Sequence, residues 1–163
     1  MNQTAKNGEL IKVPNTLKNK IGGRIGKVNH AAIAKAEAAL ASLSSNFEEW
    51  VADEVTKLEE ARRKVSEGGL SGESGKELFG VSHDLKGLGT TYGYPLITQI
   101  ADSLCSIIHT PELREQAPLR LIDAHVDAVR AAIRGKIKDV NHPVGSMLSS
   151  ELRKKTQEFL GKI

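Results

Sequence analysis

Cysteine occurs once in this chain, at Cys105, which excludes an internal disulfide and any zinc site built on several thiolates. Aromatic residues make up only 4%, with a single Trp, too few to line an aromatic cofactor pocket. No apolar run reaches 18 residues, so no transmembrane helix is expected. The opening stretch MNQTAKNGELIKVPNTLKNK lacks the apolar segment of a secretory signal. No strand-like alternation competes with helical spacing. What remains is a core vocabulary of Leu, Ile, Val and Ala in 163 residues, 26% of them charged. That composition suits a soluble, helical, globular domain in a reducing cytoplasm.

The net charge of +3 is unevenly spread. Residues 1–29 hold six Lys/Arg against one Glu, residues 30–135 hold eleven against sixteen acidic residues, and residues 136–163 hold six against three. The middle is mildly acidic and the ends are basic. No base-reading motif accompanies that charge, so the ends are read as solubilising and no nucleic-acid partner is expected.

Residues 1–28 contain Pro14, Gly22, Gly23 and Gly26 without periodicity and read as a basic, largely irregular segment. Helical spacing begins at Asn29, with Ile33, Ala36, Leu40 and Leu43 on one stripe. Ser45 and Glu48 have the spacing of a capping box, so a helix break is expected at Ser44–Asn46. Phe47, Val51, Val55, Leu58 and Val65 continue the pattern until Gly68-Gly69. A third helix is expected from about Glu73 to Thr91. A fourth, PLITQIADSLCSIIH, follows Gly93 and carries Leu96, Ile100, Leu104 and Ile107. TPELREQAP reads as a turn. A fifth helix spans about Leu119–Arg134, with Ile122, Val126, Val129 and Ile133 inward, and a weaker one about Met147–Leu160. The expected architecture is all-α. It is an antiparallel up-down-up-down four-helix bundle over residues 29–140, with further N- and C-terminal helices, the latter an extension at 141–163.

The stretch SHDLKGLGTTYGY, residues 82–94, is unusual for a helix, because each interior glycine costs roughly 1 kcal/mol relative to alanine. At 100° per residue, Leu78, Val81, Leu85, Leu88 and Tyr92 cluster on one side and face the core. His83 then points outward, with Phe79, Lys86, Gly87 and Thr90 around it. Helical side chains lean toward the N-terminus, so a side chain at 87 would cover the imidazole, and glycine leaves it clear. An exposed imidazole with a cation one turn away suits a covalently held anion, and phosphoryl is the obvious one, since a neutral imidazole nitrogen is a competent nucleophile. Phe79 would belong to a docking patch.

His83, Lys86, Gly87 and Gly93 match the H-x-x-K-G-(five residues)-G signature, and over about residues 44–135 the chain resembles histidine phosphotransfer (HPt) domains. HDLKGLGTTYGY also looks like the phosphotransfer domain of chemotaxis histidine kinases. The resemblance implies a phosphorelay intermediate. His83 would accept a phosphoryl group from a receiver-domain aspartyl phosphate and pass it to another receiver, with a hybrid sensor histidine kinase upstream. Lys86 would stabilise phosphoryl charge. Gly87, Phe79, Thr90 and Gly93 would serve docking or clearance. The chemotaxis kinases place a glutamate on the next helix against the phosphorylated histidine, and by spacing that position here is Cys105. No phosphate-binding glycine loop or kinase motif set is present, so self-phosphorylation from ATP is not expected. The chain would be a monomeric, cytoplasmic phosphocarrier without a cofactor of its own, Mg²⁺ residing on the partner receiver.

Two other classes compete. A helical adaptor that binds signalling partners without carrying phosphate would need the glycine pattern to be incidental. A metal site would need paired ligands, but none of His30, His83, His109, His125 and His142 stand three or four residues apart. Trp50 and Cys105 read as packing, and His125 as structural.

Overall fold

A computed structural model describes residues 29–163. The basic segment 1–28 lies outside them. The described residues are all-helical, with six helices and no strand. These are α1 (His30–Gly68), α2 (Glu73–Leu88), α3 (Pro95–Ile108), α4 (Pro111–Gln116), α5 (Leu119–Arg134) and α6 (Pro143–Leu160).

α1 runs unbroken for 39 residues, without the interruption expected at Ser44–Asn46. Ser and Asn in a helix interior cost only about 0.5 kcal/mol each relative to alanine, too little to stop a helix with no interior Gly or Pro. A capping box also needs a non-helical first residue. The backbone at Ser45 is helical, and the side chains of Ser45 and Glu48 lie outside the described residues. The true cap is Asn29, whose Oδ1 accepts a hydrogen bond from the Ala32 N–H at 3.1 Å. Gly69, at φ +80°, terminates α1, its N–H donating to the Val65 carbonyl at 2.8 Å.

The chain divides into two compact units, Met1–Ala38 and Ala39–Ile163. In the first, Ile33 and Ala36 are exposed rather than facing a core. Leu40, in the second, is exposed as well, and the side chain of Leu43 lies outside the described residues. Helical spacing identifies a face; it does not supply an element to cover it.

In the second unit α3 is the hub. Nine of its 14 residues are buried, among them Leu96, Ile97, Ile100, Leu104, Ile107 and Ile108, so the helix is apolar on nearly every side. α2, α4, α5 and α6 all pack on it. Each fully buried Leu or Ile contributes about 1.5–3 kcal/mol. From α1 come Val51, Leu58, Ala61 and Val65, and from α5 Ile122, Val126, Val129 and Ala132. Arg62 bridges α1 to α5 through Asp123 (2.6 Å) and Asp127 (3.5 Å), and Lys64 of α1 pairs with Glu77 of α2.

The buried stripe of α2 is turned slightly from its expected position. Leu78 and Leu85 are buried, Val81 and Tyr92 half-buried, and Leu88 exposed. The stripe is Gly75, Leu78, Ser82 and Leu85, with buried Gly89 just beyond. Small residues decide this rotation. A Cβ at Gly75 would collide with the Leu70 carbonyl oxygen, and one at Gly89 would stand 2.7 Å from Thr98 Oγ1. Both sites therefore require close backbone approach. Ser82 is tolerated inside because its hydroxyl donates to the Leu78 carbonyl at 2.7 Å.

Three boundaries also differ. α2 ends at Leu88 rather than Thr91, because the chain turns through Gly89–Gly93 and the Tyr94 N–H closes back on the Gly89 carbonyl at 2.8 Å. TPELREQAP contains α4 rather than a plain turn: Pro111 starts it, and Thr110 Oγ1 accepts from the Leu113 N–H at 3.3 Å. α6 begins at Pro143 rather than Met147, again with proline in the first turn.

Candidate functional site

His83 is exposed on α2, on the face opposite the Leu78–Leu85 stripe. Its neighbours Ser82 and Leu85 are buried, so the backbone that carries the ring is held by the core. Phe79, one turn earlier, is half-buried against that core, and its ring centroid lies 5.9 Å from that of His83. Phe79, His83 and Lys86 line one side of a groove of about 470 Å³. The other side comes from Cys105, Ser106 and His109 at the end of α3 and from Leu160 at the end of α6.

Lys86 does not stand free beside the imidazole. Its Nζ lies 2.8 Å from Asp102 Oδ1 on α3, with both side chains about half-exposed. The hydrogen bond to Asp102 raises the Lys86 ammonium above the ordinary lysine range, so it stays a cation. Burial pushes the Cys105 thiol up to about 11, outweighing the opposing pull of Lys86. Cys105 thus presents a neutral thiol at physiological pH and is neither a thiolate nucleophile nor a charged acceptor.

The glycines of this segment separate into two kinds. Gly89 is demanded by packing against Thr98, whereas a Cβ at Gly80 or Gly87 would meet nothing within 4 Å. No internal contact requires glycine at 87, yet the helix bears its cost of about 1 kcal/mol. The space beside His83 is open to an outside molecule. Gly93 has φ +80°, a conformation that L side chains rarely adopt, so its requirement comes from the turn into α3. Thr90 is exposed and lies in that same turn beyond α2, its hydroxyl donating to Thr98 Oγ1 at 3.0 Å.

No family model, curated protein or solved structure matches this chain.

Other chemically capable groups lie elsewhere. His125 is fully buried, and its Nδ1 is 2.7 Å from the Leu121 carbonyl. A carbonyl only accepts, so Nδ1 carries the proton and Nε2 accepts from Ser103 Oγ at 3.0 Å. Ser103 in turn pairs with Thr156 of α6 at 2.9 Å. Burial lowers the pKa of His125 below the usual imidazole range, so the ring is a neutral junction between α3, α5 and α6. Among the described residues no group of three or more His, Cys, Asp or Glu could hold a metal ion. Within the same bounds, no helix is long and apolar enough to cross a membrane. A larger apolar groove of about 600 Å³ lies between α5 and α6, lined by Leu121, Leu148, Leu152 and Phe159, but its lining holds no His, Cys, Ser or Thr.

Three groove residues, Ser106, His109 and Leu160, escaped the sequence reading. His109 follows Cys105 by four positions and so shares its face of α3, a spacing that could have marked it. Leu160 had no such signal, because only tertiary packing brings α6 to α2.

Proposed function

We propose that this chain is a phosphorelay intermediate carrying a phosphoryl group on His83. The observation that supports it most is the exposed imidazole on a core-anchored helix, flanked by a glycine for which no internal contact accounts. In this proposal the helices of the second unit form an antiparallel up-down bundle that holds His83 outward as a rigid post. A receiver domain docks over Phe79, Gly87 and the adjoining groove. The Nε2 lone pair of His83 attacks phosphorus in line. The N–P bond forms as the P–O bond to the receiver's aspartate breaks, and the aspartate leaves as a carboxylate. The reverse sequence on a second receiver completes the relay. Positioning and charge stabilisation carry most of such a transfer. The Mg²⁺ belongs to the receiver; this chain contributes the nucleophile and the Lys86 cation. A hybrid sensor kinase upstream and a cytoplasmic setting follow from this role. The test is incubation with radiolabelled phospho-receiver. Acid-labile, base-stable label should appear on the wild-type chain and be absent from His83→Gln. Equal label on that variant would sink the assignment.

A second reading draws on the apolar groove between α5 and α6. There the bundle acts as an adaptor that binds signalling partners and His83 is incidental. Absence of label from every phospho-receiver, with a helical ligand retained by the groove, would favour it.

A further inference from the structure

We infer that Asp102 is a positioning residue for the phosphoryl group. It holds the Lys86 ammonium while His83 is unmodified, and it releases that ammonium to the phosphoryl oxygens once the N–P bond has formed. This rests on the phosphorelay assignment of His83. Lys86 stands one turn from His83 on the same helix and lines the same groove. Its counter-ion comes from a different helix, α3, at 2.8 Å. Among the described residues, no other carboxylate lies within ion-pair distance of Lys86.

The exchange follows from the relative strength of the two anions. The Lys86–Asp102 pair is about half-exposed on both sides, so water screens it and the attraction is weak. A phosphoryl group brings three acceptor oxygens and more negative charge than one carboxylate. Cys105 cannot compete, since its thiol is buried and neutral. A lysine side chain has four rotatable carbons, enough to swing from one anion to the other without moving the helix. Asp102 is then left as a half-exposed, solvated carboxylate. Breaking the Lys86–Asp102 pair is a cost charged to the phosphorylated form, so Asp102 limits how tightly the carrier holds its cargo and keeps onward transfer favourable.

Phosphoramidate separates this exchange from receiver docking. In that reaction the P–N bond of the donor breaks as the His83 Nε2–P bond forms, and ammonia leaves with the proton given up by Nδ1. The full chain and the variants Asp102→Asn, Asp102→Glu, Lys86→Met and the double variant Asp102→Asn/Lys86→Met are compared for equilibrium occupancy and for the lifetime of the phosphohistidine. Asp102→Asn should raise occupancy by about two- to fivefold, the factor a half-exposed ion pair can supply. Asp102→Glu should restore wild-type behaviour. In the Lys86→Met background, Asp102→Asn should give a much smaller gain, since no ammonium remains to be released. An equal effect of Asp102→Asn with and without Lys86, or no effect in either, overturns the inference while leaving His83 as the acceptor. No label on any folded form, wild type included, overturns the phosphorelay assignment and this inference with it.

Discussion

The surroundings of His83 and His125 place one kind of side chain in opposite environments. His83 stands on the outer face of α2, with open space beside Gly87 and a groove shared with Lys86. His125 is sealed at the junction of α3, α5 and α6, with both ring nitrogens hydrogen-bonded. An imidazole whose nitrogens are both committed cannot attack phosphorus. One that is exposed can, provided nothing covers it. Accessibility, more than residue type, separates the proposed chemical site from the structural one.

The largest test of that contrast is to exchange the losses. His83→Gln should abolish phosphoryl acceptance entirely while leaving the thermal midpoint within about 2 °C, since surface changes of this kind usually stay within about 0.5 kcal/mol. Label counting and thermal unfolding on the same sample decide it. His125→Ala should do the reverse. It leaves a cavity and strips Ser103 of its partner, costing roughly 2–4 kcal/mol in denaturant unfolding, with label still taken up by the folded fraction.

A smaller effect sharpens the comparison through pH. Burial depresses the folded-state pKa of His125 below its ordinary 6.5. The unfolded chain therefore binds a proton first as pH falls. Stability due to this group is present in full above about pH 6.5 and is lost as pH drops from there toward the folded pKa. The loss is up to about 1.4 kcal/mol per unit. Chemical unfolding at pH 7.5 and 5.5 should show it, and His125→Leu should flatten it. An unchanged slope in that variant would assign the effect elsewhere.

The smallest effect concerns the glycine beside His83. Gly87→Ala adds a Cβ that meets nothing, so it should stabilise the helix by about 0.5–1 kcal/mol. Gly87→Gln should also leave the fold intact but slow receiver-dependent transfer by roughly tenfold, about 1.4 kcal/mol in the barrier. Phosphoramidate labelling should stay within about twofold of wild type, because a small donor needs no docking clearance; the twofold allowance is under about 0.5 kcal/mol. Equal slowing with both donors would argue against a docking role for the open space.

Much of the His83 face was legible in advance because helical spacing is a local property. Leu78 and Leu85 are enough to set which way α2 turns, and His83, Gly87 and Lys86 follow by angle. Where the spacing misled, small residues were responsible. Gly75, Ser82 and Gly89 carry little hydrophobic signal, yet they permit the closest contacts and draw the buried stripe away from Leu88. The unbroken α1 has a similar lesson. Ser44, Ser45 and Asn46 look like a boundary, but cap residues act only where the backbone leaves the helix, and nothing there forces it to.

The amino-acid order by itself determined that residues 29–163 are helical, where α1 stops, and that an imidazole, an ammonium and a missing side chain share one face of α2. These depend on neighbours within a turn or two. The partner of Lys86, the burial of Cys105, the sealing of His125 and the arrival of Leu160 at the groove were decided only by tertiary packing. Each joins residues on different helices, and helical spacing sets the face a residue occupies without setting which helix lies against it.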